Sequence, residues 1–246
     1  MSAFSTLLPA MAPTSRVDEI VERISEVIHL GLLADGEQLP VEPELAKHFG
    51  VAPMTVREAL GALRERGLVQ TRRGRTGGSF VKIPDGPPLD VLRTRLVAMT
   101  GFALRDMVDE HAAIATEAAR LAAERASTTN IRQLFTYTEQ LRTASTLGAR
   151  VRADSRFHIE LAVAAQSERL TRQEVRLQAE VAGMLWLPVG EPVDVERFVG
   201  EHHEIALAVA AEDAVTARAL TEQHIRSNLT RLSAIRHHLT GGVDSG

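Results

Sequence analysis

Cysteine is absent from this 246-residue chain, and aromatic residues make up only 4% of it, with one tryptophan and one tyrosine. Without thiols there can be no disulfide framework, thiolate zinc finger, iron–sulfur cluster or cysteine nucleophile. No apolar run approaches the roughly 20 residues that a membrane-spanning helix needs. The opening stretch MSAFSTLLPAMAPTS has no basic segment ahead of its apolar residues, which argues against a signal peptide. A cytoplasmic chain with no membrane partner is the expectation. What is present is ordinary for a folded protein, 44% hydrophobic and 24% charged residues, enough for a core. The scarcity of aromatics and the alanine and leucine of the C-terminal part favour helix. The length exceeds a usual domain of roughly 100–200 residues, so one large domain or two modest ones are expected.

The net charge of −4 does not suggest a nucleic-acid binder. Its distribution does. Between Lys47 and Lys82, eight cations (Lys47, Arg57, Arg64, Arg66, Arg72, Arg73, Arg75 and Lys82) stand against Glu58 and Glu65, a local net of +6. Such a window can attract phosphates although the whole chain is acidic. Taken alone, such a window is more often a solvated charged face. Breakers divide the chain: residues 1–13 read as a loose tail, 14–83 as a first domain and 84–88, Pro-Asp-Gly-Pro-Pro, as a linker. Residues 89–240 read as a helical domain and 241–246 as a second tail.

In the first domain, Val17, Ile20, Val21, Ile24 and Ile28 mark one stripe of a helix over 15–34. A short helix follows near Pro43–Phe49, Gly50 breaks it, and Pro53 fits the first turn of a third. Val56, Ala59, Leu60 and Leu63 form the buried stripe of that third helix, and Gly67 stops it. Helix, tight turn, helix is the geometry that sets a second helix in a major groove, here with Met54, Thr55, Arg57 and Glu58 outward. Residues 68–71 and 79–82 alternate like two strands. The tip between them carries Arg72, Arg73, Gly74, Arg75 and Gly77, whose glycines allow close approach to a duplex and whose guanidinium groups suit phosphates or a minor groove. The same glycines could simply make a turn.

The run LPVEPELAKHFGVAPMTVREALGALRERGLVQTRRGRTGGSFV closely resembles the winged helix-turn-helix of GntR-family transcriptional regulators. The resemblance implies a double-stranded DNA operator, contacted by Arg57 from the recognition helix and by Arg73, Gly74 and Arg75 from the wing. Pro43 and Pro53 stand where many relatives carry arginine.

In the second domain, Asp154 and His158 are four apart and share a helix face. His202 lies eleven residues before Asp213 and His224 eleven after it. If Asp213 caps the second arm of a helical hairpin, the two imidazoles face each other. One carboxylate and three imidazoles suit Zn²⁺, Ni²⁺ or Mn²⁺, although Ala/Leu-rich helices also bury satisfied histidines. From about Leu89 to Leu239 the chain looks like the FadR-type C-terminal domain known as FCD, an all-helical bundle. Its metal-binding members carry a D-x-x-x-H pair, then a histidine heading a helix, then another about 22 positions on. That implies Asp154, His158, His202 and His224 as ligands, with His203 a neighbour. His111 and Ala115 occupy positions where relatives commonly show arginine and glutamate. His111 and the lone Trp186 are candidates for an effector pocket, although so large an apolar residue as Trp186 more often belongs to the core.

A divalent ion beside one aspartate leaves a net charge of about +1, which favours a small carboxylate effector able to chelate. A short recognition helix reads few base pairs, so a homodimer on a palindromic operator is expected. The fold class is mainly α, a winged helix-turn-helix followed by a helical bundle. A metal-sensing regulator is an alternative reading. A metal-dependent hydrolase with a DNA-targeting head is another, and no HExxH or nucleophile motif supports it.

Overall fold

A computed structural model describes residues 15–74 and 77–241. The expected tails lie outside the described residues, apart from Gly241, which closes the last helix. Ten helices and one two-stranded sheet are present among the described residues. Contacts divide them into two compact units, one reaching Ile28 and resuming from Leu33 to Ile83, the other formed by His29–Leu32 and the chain from Pro84 onward.

The first unit begins with α1 (Arg16–His29), which buries Ile20, Val21, Ile24 and Ile28. The helix is shorter than its apolar stripe predicted, because Gly31 takes a left-handed φ of 69° that no helix continues through. α2 (Glu42–Phe49) ends at Gly50, whose left-handed conformation returns its N–H to the Ala46 and Lys47 carbonyls. α3 (Pro53–Glu65) starts on Pro53 and buries Val56, Ala59, Leu60 and Leu63. β1 (Val69–Arg72) and β2 (Gly78–Val81) then pair antiparallel, with Val69 opposite Val81 and Arg72 opposite Gly78. Leu39 N–H donates to the Ser79 carbonyl, so the segment before α2 adds to the free edge of β2. One apolar core joins all three helices to the wing.

The second unit is all helix: α4 (Leu89–Ala98), α5 (Gly101–Arg125), α6 (Thr128–Thr143), α7 (Leu147–Ala164), α8 (Glu168–Leu185), α9 (Val195–Ala210) and α10 (Ala214–Gly241). Thr100, Ser127, Thr146, Ser167 and Asp194 each accept a backbone N–H three residues on, capping α5 to α9. Asp213 accepts from Thr216 N–H at 3.0 Å and starts α10. Each such cap is worth about 1 kcal/mol and fixes where a helix begins. The buried faces of α5, α7 and α9 are rich in alanine, which lets backbones approach closely around a core holding Trp186, Phe157 and Phe198. Pro84 and Asp85 lie against α7: Gly148 N–H donates to the Asp85 carbonyl and Arg152 Nη1 to the Pro84 carbonyl. A Cβ on Gly148 would sit 2.4 Å from that Asp85 oxygen.

Candidate nucleic-acid interface and metal centre

In the first unit, Met54 and Arg57 project from the exposed face of α3, and Thr55 is half-buried beside them. Arg57 is held by Glu42 of α2, with Nη2 and Nε 2.9 and 3.1 Å from one carboxylate oxygen. That fork fixes the guanidinium near the N-terminus of α3. Glu42 lies in the GntR-like run, but its pairing with Arg57 joins two helices and leaves no signal in the periodicity of either. In the wing, the Arg72 guanidinium lies 4.2 Å from the centre of the Phe80 ring, a cation–π contact that orients it. Arg73 and Gly74 are exposed at the tip, and Gly74 has a left-handed φ of 113°. Gly77 packs so tightly that a Cβ would meet the Arg72 carbonyl oxygen at 2.6 Å. Arg75 lies outside the described residues.

In the second unit, Asp154, His158, His202 and His224 come together, and all are buried. The helix bearing His202 starts at Val195, nearly two turns earlier than the histidine motif suggested, because Asp194 caps it. Candidate ligand atoms of His158, His202 and His224 all lie within 4.8 Å of one another. Asp154 Oδ1 is 3.5 Å from His202 Nε2 and 3.9 Å from His158 Nε2. Asp154 Oδ1, His158 Nδ1 and both ring nitrogens of His202 have no hydrogen-bond partner. Such atoms are rare in a satisfied core.

Burial, reinforced by the neighbouring imidazoles, holds His158 and His202 well below the ordinary histidine range. Burial also pushes the Asp154 carboxyl up, against the pull of a hydrogen bond from Trp186. Neutral imidazoles with free lone pairs, beside a carboxylate that burial discourages from ionising, form a donor set that a divalent cation would satisfy. The residues fit the ion. His203 is exposed and packs edge-on against Phe135.

Two flanking contacts orient the cluster. His224 Nδ1 lies 2.6 Å from Glu201 Oε2, which leaves Nε2 facing the other histidines. Trp186 Nε1 donates to Asp154 Oδ2 at 3.0 Å, so the tryptophan is both a core residue and a support for the candidate ligand. His111 is buried against Glu174 and Gln178 of α8, its ring 6.0 Å from that of His158. Glu174 and Gln178 escaped the sequence reading. The available signal was two polar residues breaking the apolar stripe of Leu177, Val181 and Leu185.

Comparison with known proteins adds identity to this geometry. Residues 16–81 match the family described as bacterial regulatory proteins, gntR family, and residues 106–227 match the FCD domain. A protein named as the HTH-type transcriptional regulator RmpR of Mycobacterium gastri is 47% identical over 230 residues, covering 93% of this chain and 84% of its own. The HTH-type transcriptional repressor NanR of Escherichia coli is 27% identical over 238 residues, covering 90% and 85%. Among solved structures, E. coli McbR/YncC shares the fold with a TM-score of 0.52 at 16% identity, over 89% of this chain and 98% of that one. RmpR and NanR are both named as transcriptional regulators, not as enzymes. The chain therefore belongs to the GntR family of bacterial transcriptional regulators, with a GntR helix-turn-helix followed by an FCD domain.

Proposed function

We propose that this regulator is a cytoplasmic repressor that binds a palindromic operator as a homodimer and responds to a small carboxylate through a divalent ion in its helical domain. Residues 14–83 read DNA, 84–88 connect, and 89–240 form the effector and dimerisation domain. Met54, Thr55 and Arg57 face the major groove. Arg72, Arg73, Gly74, Arg75 and Gly77 form the wing contact, positioning the protein on phosphates or in a minor groove. Asp154, His158, His202 and His224 hold Zn²⁺, Ni²⁺ or Mn²⁺, which supplies Lewis acidity toward an oxygen ligand.

The supporting observation is a buried donor set gathered from three helices, in which Asp154 Oδ1 and both His202 ring nitrogens have no hydrogen-bond partner. An effector oxygen bound there bridges helices, and its preference for one bundle arrangement becomes a preference for one operator-binding state. Thermal melting of the purified protein with small carboxylates, with and without Zn²⁺, Ni²⁺ or Mn²⁺, tests this reading. The expected result is stabilisation by an acid only when the ion is present, together with release of operator DNA. If chelation alone abolishes operator binding and no acid has an effect, the ion is itself the signal.

A further inference from the structure

Beside the ion's ligands, the bundle buries a second group of polar atoms. Glu174 is 1% exposed. Its Oε1 accepts from Gln178 Nε2 at 2.9 Å and faces His111 Nε2 at 3.0 Å. Its other oxygen, Oε2, has no partner. Thr221 Oγ1 and Asn228 Oδ1 are also buried and unpartnered, each about one turn from His224 along α10. A buried acceptor left without a donor is costly, and here several collect next to the candidate metal ligands.

Glu174 also bears on which oxygen ligand suits the site. A divalent ion beside Asp154 alone leaves positive charge for an anionic ligand. Glu174 is a second buried carboxylate beside the ligands, linked to them through His111, whose ring lies 6.0 Å from that of His158. His111, standing where the family resemblance places an arginine, is occupied by Glu174. A plain carboxylate reaches the ion but offers no donor to Glu174 Oε2. A hydroxyl supplies one: it donates to Glu174 Oε2 and uses up the orphaned acceptor.

We infer that Glu174 is a specificity-determining residue that selects a polyhydroxy carboxylate, one of whose hydroxyls donates to Oε2, over the deoxy acid of the same length. This rests on the proposed metal-and-carboxylate reading of the site. The test is calorimetric titration of the full-length, Zn²⁺-loaded protein and its Glu174→Gln variant with succinate, malate, tartrate and erythritol. Succinate, malate and tartrate share two carboxylates and carry none, one and two hydroxyls.

The wild type is expected to prefer tartrate to succinate, and Glu174→Gln to cut that preference by about tenfold, the scale of one hydrogen bond to a charged group. Hydroxyl chelation of the ion persists in both proteins, so the loss isolates Glu174. An unchanged preference overturns the inference and leaves the carboxylate reading standing. Glu174-dependent binding of erythritol alone supports hydroxyl selection and overturns the carboxylate reading. No binding of any probe overturns both. Should Glu174→Gln not fold, Glu174→Asp, which retracts the charge by one methylene, is expected to lower the same preference.

Discussion

At the scale of single residues, Glu201 sets how one candidate ligand presents itself. Its carboxylate, 2.6 Å from His224 Nδ1, fixes the tautomer that turns Nε2 toward His158. Removing such an outer partner costs about 10- to 100-fold in metal affinity. Glu201→Gln is therefore expected to lose the ion to a competing chelator at correspondingly lower concentration, and an unchanged competition curve would deny Glu201 this role. The histidines also make stability depend on pH. His158 and His202 have folded-state values depressed below the ordinary histidine value of about 6.5. The unfolded chain thus binds more protons, and their contribution is complete above about 6.5 and lost as pH falls below it. Asp154 is shifted up and acts in the opposite sense, its contribution being present in acid and lost as pH rises through the raised value. In chelator, the melting temperature should drop between about pH 7 and about pH 5, where the two histidines dominate. A flat profile there would mean that they are not held neutral.

At the scale of elements, α3 and α7 each carry a decisive contact. Arg57→Ala is expected to weaken operator binding roughly ten- to hundredfold while leaving the melting of the helical bundle unchanged. Equal affinity for operator would mean that α3 is not the recognition helix. Gly148 on α7 lies under the Asp85 carbonyl, so Gly148→Ala must push the chain at 84–85 away. A loss of about 1–3 kcal/mol in denaturant unfolding is expected, and a neutral result would show that this strap yields freely. The helix-turn-helix was legible because Gly50, Pro53 and Gly67 punctuate it within a short span. The end of α1 was misjudged because its apolar stripe runs on past Gly31, where the backbone turns. The start of α9 lies ahead of His202 because Asp194 caps the helix and Phe198 and Val199 extend its buried face toward the N-terminus. Asp154, His158, His202 and His224 were legible from spacing on helices. Glu174 was not: it meets His111 across 63 residues, and the periodicity of one helix does not say what faces it from another.

At the scale of the whole molecule, a single head carries one short α3 and one wing, too little contact for a specific site among many competitors. Sedimentation of the protein with a palindromic operator fragment is expected to give two chains per duplex, and a stable complex with one chain would remove the need for symmetry. The candidate ligands connect distant parts of one chain, since His158 and His224 are 66 residues apart yet meet at 3.2 Å. An ion at that seam would rivet α7, α9 and α10 together in a protein with no thiol to fasten them. Oxidants and reductants would pass such a rivet by, whereas acid or a chelator would pull it out. Proteolytic susceptibility of the bundle would then follow metal supply rather than redox state.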